Sequence, residues 1–245
     1  GFIGSNIKKK HIKNFDTYFF VNKKIIKKIP KNKIVNKENI FKKIKSLDYL
    51  IHLAGVDDFY NGKKYFNYNK ELNFLLKKII LIYKPRKIIF ASSNRVYENT
   101  KKVFVTENTK TKTNNNYAKN KLITEKIIKK TKSDYIIFRL PSVISKNFSK
   151  GLIYRFLIEM KKNKKLNIFN PNSLFNNIIH VDEFINVIFY SLKKNTHKNL
   201  TLNISSTKPL KLITIVDFLL MKTKSKSKVN IIENKTNSKY YSNNL

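Results

Sequence analysis

Cysteine is absent from this sequence. That excludes disulfides, thiolate nucleophiles and cysteine metal ligands, and no metal site is expected. Tryptophan is also absent, and there are only five glycines and five prolines. No apolar run reaches the roughly 18 residues of a membrane-spanning helix. The first residues show no basic segment followed by an apolar stretch and a cleavage site, so no signal peptide is read. These absences suit a cytoplasmic protein.

Acidic residues are scarce as well. Fifteen Asp and Glu face 52 Lys and Arg, giving a net charge of +37. Such a charge would suit a nucleic-acid or anionic-membrane binder. Only Arg86, Arg95, Arg139 and Arg155 are arginine, which leaves 48 lysines spread along the chain with much Asn and Ile. Proteins that read phosphates or base edges favour the bidentate arginine fork. The charge is therefore read as a compositional bias on solvated positions, able to attract anionic small molecules. A basic nucleic-acid-binding protein is the less favoured alternative.

What is present is enough for a core. The chain has 245 residues, 41% of them apolar and 13% aromatic, which suits one large domain or a domain with a smaller lobe. Thr17–Val21, Lys33–Val35, Asp48–Leu53, Arg86–Ser92, Asp134–Leu140 and Leu200–Ile204 read as strands. Most are continuous apolar runs, as in parallel sheets covered on both faces. Asn69–Tyr83, Tyr117–Lys130 and Asp182–Lys193 carry helical spacing. The alternation predicts an α/β fold with a doubly wound parallel sheet. It weakens from about Ser145, where an amphipathic stretch, Leu152–Met160, and a turn at Pro171–Ser173 follow. The tail from about Lys222 is rich in Lys, Ser and Asn. The expected division is a dinucleotide-binding domain over 1–145 and a mainly substrate-binding lobe over 146–245, with 178–205 returning to the first domain.

Gly1 and Gly4 stand three apart before a helical pattern, a spacing that lets backbone approach a pyrophosphate. Tyr117 and Lys121 form Tyr-x-x-x-Lys, two side chains on one helical face. A lysine there can lower the phenol's pKa for acid–base work. In so lysine-rich a chain the motif is nearly free: about two or three matches are expected by chance, and five occur, at Tyr60, Tyr83, Tyr97, Tyr117 and Tyr190. Context selects Tyr117. It opens a helical pattern after a polar loop, Thr106–Asn116, and lies 24 residues after Ser93 at a strand end.

Taken in order, these segments resemble the NAD-dependent epimerase/dehydratase family of extended short-chain dehydrogenases/reductases. Gly1-Phe2-Ile3-Gly4-Ser5 looks like the second half of its Gly-x-x-Gly-x-x-Gly loop. Ser92-Ser93-Asn94-Arg95-Val96-Tyr97 resembles Ser-Ser-x-x-Val-Tyr-Gly, with Glu98 in place of the glycine. His52-Leu53-Ala54-Gly55, Asn67 to Asn73, Phe138-Arg139-Leu140-Pro141 and Ile178 to Asp182 are similar to further family segments. The resemblance implies a Rossmann-type fold and a catalytic group of Ser93, Tyr117 and Lys121. It implies NAD or NADP held by Gly1, Phe2, Ile3, Gly4, Asn22, Leu53, Ala54, Gly55, Asn67, Tyr117, Lys121 and Pro141. It implies substrate contacts at Ser93, Asn94, Ser142 and Asn176. His52, His180 and Asp182 are read as structural. Asn22-Lys23-Lys24 stands where NAD enzymes usually place an acidic residue, which leans slightly away from strict NAD.

The reaction class expected is hydride transfer at a sugar carbon of a nucleotide sugar, by an epimerase or reductase. Asn94 and Arg95 stand where 4,6-dehydratases carry acidic residues, so that chemistry is disfavoured. Asn176 and Asn177 replace an arginine that many epimerases use for the pyrophosphate, so the nucleotide sugar is less firmly implied than the hydride chemistry. A non-catalytic dinucleotide-binding Rossmann protein is an alternative, disfavoured because all three catalytic residues are present. Homodimerisation is expected from the resemblance alone. In the family a strand and a first glycine precede Gly1. The expectation is thus an N-terminally truncated chain that folds poorly when expressed alone and need not be active.

Overall fold

The computed structural model describes residues 1–21, 29–55, 62–146, 151–193, 199–233 and 239–242. Asn22, expected to meet the cofactor ribose, lies outside the described residues. In chain order the elements are α1 (Lys9–Ile12), β1 (Phe19–Phe20), β2 (Ile34–Val35), α2 (Ile40–Lys43), β3 (Tyr49–His52), α3 (Gly62–Tyr83), β4 (Lys87–Ser93), β5 (Phe104–Val105), α4 (Asn116–Lys129), β6 (Asp134–Leu140), β7 (Ser142–Ile144), α5 (Leu152–Lys161), β8 (Leu166–Phe169), β9 (Leu174–Phe175), β10 (Ile178–His180), α6 (Val181–Lys193), β11 (Leu200–Asn203), β12 (Leu210–Lys211), α7 (Leu212–Thr223), β13 (Val229–Ile232) and β14 (Tyr240–Tyr241). A four-stranded sheet has the order β11-β6-β4-β3. Strands β3 and β4 run parallel, with Tyr49 opposite Lys87 and His52 opposite Phe90. This is the α/β architecture expected from the strand–helix alternation, of the Rossmann type that the family resemblance implies.

The chain forms two compact units. The first comprises Gly1–Ser92, Asn116–Ile137 and Asp182–Leu200; the second comprises Ser93–Asn115, Phe138–Val181 and Thr201–Leu245. Segment 93–115, assigned from sequence to the first domain, thus groups with the second unit, while 182–200 groups with the first. The chain passes between the units five times, which no composition shift marks.

In the first unit, β4 is buried at every position, as its unbroken apolar run requires of a strand covered on both faces. Ile88 and Phe90 of β4 pack with Ile137 of β6, Leu76 of α3 and Ile128 of α4. A second cluster joins Val35, Ile40, Ile44 and Ile79, and the Tyr83 hydroxyl closes it by donating to the Ile44 carbonyl at 3.0 Å. Helix α6 packs Phe189 against His11 and Phe15.

In the second unit, α5, β8 and α7 share a core of Phe156, Met160, Leu166, Ile168, Leu212 and Val216. Helix α7 carries Ile213, Thr214, Ile215 and Val216 in a row, residues that favour strands locally. It is helical because Leu212 and Val216 bury one face in that core, so packing overrides propensity. Strand β13, within the polar tail, pairs in parallel with β8 from Val229 opposite Leu166 to Ile232 opposite Phe169.

Candidate active site

The site-bearing helix is α4. It follows a polar loop in which the Asn115 amide donates to Thr113 Oγ1 at 3.1 Å. Its buried face carries Ala118, Lys121, Glu125 and Ile128, a spacing of three and four that forms one stripe. Two ionisable groups therefore lie on the face turned inward, where a charge is costly unless it has partners. Such an arrangement is a pointer to function.

Lys121 is 6% exposed. Its Nζ donates to the carbonyl oxygens of Ala91 at 2.8 Å and Ala54 at 3.3 Å, and lies 4.8 Å from the Phe90 ring centroid and 5.5 Å from that of Tyr117. Burial lowers the Lys121 pKa to about 8, with Glu125 pulling the other way. Gly55 makes room for it. A Cβ added to Gly55 would sit 2.9 Å from Lys121 Nζ, and the residue's φ of +149° already favours glycine.

Tyr117 is half-buried. It lines a small pocket with Ala54, Gly55, Asn69, Asn73 and Lys121. Asn73 Oδ1 accepts a hydrogen bond from Thr124 Oγ1 at 2.7 Å. Asn67 is exposed and is not part of this pocket; two residues along, Asn69 is. Sequence reading missed Asn69 and Asn73. Their signal was two amides four apart, flanking Leu72 on the inward face of a helix otherwise lined with Leu and Ile.

His52 also reaches the pocket, stacked on Phe90 with ring centroids 5.3 Å apart. Burial, and then the charge of Lys121, lower its pKa to about 3. It is neutral at pH 7 and too weak a base to shuttle protons there.

The Gly1–Ser5 segment forms a tight turn in which the Ser5 amide donates to the Gly1 carbonyl at 2.9 Å. A Cβ at Gly1 or Gly4 would meet no atom within 4 Å, so open space lies over this backbone. Phe2 is exposed, Ile3 half-buried and Leu53 half-buried. Asp182, in the first turn of α6, pairs with Lys8 at 3.1 Å.

The second unit holds the remaining expected residues. Ser93 is buried at the end of β4, and its Oγ accepts from the Arg95 amide at 3.2 Å. Asn94 and Ser142 line a cavity of about 360 Å³ with Arg95, Glu98, Asn177 and Phe175 among its walls. Asn94 Nδ2 donates to Asn177 Oδ1. Asn176 does not face the cavity. Its Nδ2 donates to the carbonyls of Ser206 and Tyr241, and its Oδ1 accepts from the Tyr241 amide. The amide of Asn176 ties three segments together, and its neighbour Asn177 lines the cavity instead. Pro141 is buried between β6 and β7.

The fold is α/β with a parallel sheet, and Lys121 is buried beside the half-buried Tyr117. The chain belongs to the NAD dependent epimerase/dehydratase family, whose family model matches residues 1–205. No curated protein matches the sequence significantly. Among solved structures, it is similar to a UDP-glucose 4-epimerase of Thermotoga maritima solved with UDP-glucose, at 17% identity and TM-score 0.76, covering 100% of this chain and 87% of that one. A UDP-glucuronic acid 4-epimerase of Bacillus cereus solved with NAD matches at 18% identity and TM-score 0.70, over 83% of this chain and 68% of that one. The Bordetella bronchiseptica enzyme WbmG, solved with NAD and UDP, matches at 13% identity and TM-score 0.69, over 80% of this chain. The match spans 64% of the length of that WbmG chain. Likenesses at this level of identity carry the fold alone.

Among the described residues, no helix is long and apolar enough to cross a membrane, and no cluster of His, Cys, Asp or Glu is arranged to hold a metal ion.

Proposed function

We propose that this chain is an NAD-dependent enzyme that moves hydride at a sugar carbon of a nucleotide sugar, as an epimerase or reductase. The observation that carries the reading is Lys121, a desolvated cation held by two backbone carbonyls beside Tyr117 in a small pocket. The donor set suits a dinucleotide. Lys121, Asn69 and Asn73 offer hydrogen bonds for hydroxyls, and uncovered backbone at Gly1 and Gly4 suits a phosphate. Gly1–Gly4, Leu53–Gly55, Tyr117, Lys121 and Pro141 would hold the cofactor, with Asn69 a better candidate than Asn67. When bound, nicotinamide supplies the acceptor and donor of hydride.

The residues of the chain supply the proton chemistry. Tyr117 takes the proton of the reacting sugar hydroxyl and returns it. The positive charge of Lys121 favours the phenolate and so brings the phenol nearer to working pH. Ser93 is proposed to hydrogen-bond the sugar, a role that rests on the family motif. Asn94, Ser142 and Asn177 are the proposed sugar contacts, in a cavity whose size suits a small polar ligand. Asn94 and Arg95 are an amide and a cation, so they cannot supply the carboxylic acid that water elimination needs.

A titration of NADH fluorescence tests cofactor binding, and a screen of UDP-, GDP- and dTDP-sugars then tests turnover. Saturable NADH binding with conversion of at least one sugar nucleotide is expected. Absence of NADH binding in a folded sample contradicts the reading.

A further inference from the structure

Lys121 lies on the wall of a pocket whose described lining contains no carboxylate. A charged amine there needs a counter-charge from behind the wall. One helical turn further along α4 stands Glu125, 4% exposed in its side chain and on the same inward stripe. Its Oε1 accepts a hydrogen bond from Ser92 Oγ at 2.6 Å. Its Oε2 lies 4.0 Å from Lys129 Nζ at the helix surface. Ser92 directly follows Ala91, whose carbonyl accepts from Lys121. The strand end thus grips both buried charges of the helix, one by backbone and one by side chain.

We propose that Glu125 is a positioning residue for Lys121: its carboxylate, pinned by Ser92 at the end of β4, keeps the Lys121 amine charged and aimed at the pocket beside Tyr117. The functional consequence rests on the reading of Lys121 given above; the electrostatic coupling does not. Among the described residues lining the pocket there is no other carboxylate. From β3, His52 is neutral, its pKa lowered to about 3. From α3, Asn69, Leu72 and Asn73 face the pocket, none of them titratable. On α4 itself, Lys129 is a further cation. Burial draws the Lys121 pKa down, and Glu125 is the group that opposes it. Without the carboxylate the amine would lose its proton nearer neutral pH, and a neutral amine no longer favours the phenolate.

The test is a ¹³C NMR titration of the cofactor-free protein. Lys121 Cε is identified as the resonance lost in Lys121→Met and Glu125 Cδ as that lost in Glu125→Gln. In Glu125→Gln the Lys121 midpoint should fall by about one pH unit; an unchanged midpoint overturns the proposal. Should that variant fail to fold, Glu125 Cδ is assigned by through-bond correlation to its backbone and the wild-type titration decides alone. The Glu125 Cδ shift should show a second inflection at the Lys121 midpoint, and its absence overturns the proposal. Because no cofactor is present, coupling without NADH binding would sink the proposed function and spare the coupling. NADH binding without coupling would do the reverse.

Discussion

Lys121 is where stability and chemistry oppose each other. Its pKa falls from 10.5 in the unfolded chain to about 8 in the fold. Between those values the unfolded state binds more protons, so this group makes stability rise with pH. Below pH 8 the fold carries the full cost of the buried charge, about 3 kcal/mol at 1.36 kcal/mol per unit; above pH 10.5 the cost is gone. Lys121→Met removes the charge while keeping a long apolar stem, so its stability relative to wild type should decline by about 3 kcal/mol between pH 7 and pH 10.5. Urea melts at both pH values measure this, and a difference that stays flat would show that the amine is not desolvated.

The candidate site residues were unequally legible. Tyr117 and Lys121 stood out only through their neighbours in order, since Tyr-x-x-x-Lys recurs five times. Glu125 gave no signal, because a glutamate on a helix usually marks the solvent side. Asn176 and Asn177 are chemically identical in sequence, and only the backbone direction turns one into the core and the other into the cavity.

At the scale of elements, strands read from continuous apolar runs formed near the expected places, because complete burial leaves an unbroken pattern. Asp134–Leu140 matches residue for residue, while Thr17–Val21 shortens to Phe19–Phe20. What escaped was structure held by distant partners. Strand β13 exists through its pairing with β8, and α7 through its packing on α5 and β8; neither carries enough local pattern to declare itself.

Helix α3 shows a further face. Leu72, Leu76 and Ile79 are buried, whereas Phe74 and Leu81, seven residues apart and so on one side, are 72% and 74% exposed. Two large apolar side chains left to water on one helix face suit self-association. We propose that face as a contact between two copies of this chain. Sedimentation velocity should show a dimer for the wild type and a monomer for Phe74→Lys/Leu81→Lys. A wild-type monomer would contradict the assignment.

Over the whole molecule the net charge of +37 dominates. Self-repulsion of that size opposes compaction, and salt screens it over a Debye length of about 10 Å at 0.1 M. Raising the salt concentration from about 0.02 M to 0.5 M should therefore raise the melting temperature. A lowered melting temperature would mean that specific ion pairs, such as Lys8–Asp182, outweigh the repulsion. The same charge would suit nucleic acid and anionic small molecules alike. The catalytic reading rests instead on a small buried group.

That group is tested most directly by removing one oxygen. In Tyr117→Phe the ring stays and the acid–base hydroxyl is lost. Turnover of the sugar nucleotide found by screening should fall by about 100-fold or more, while NADH affinity stays close to that of the wild type. Turnover that survives the substitution would show that Tyr117 does not move the proton, and would contradict the site described here.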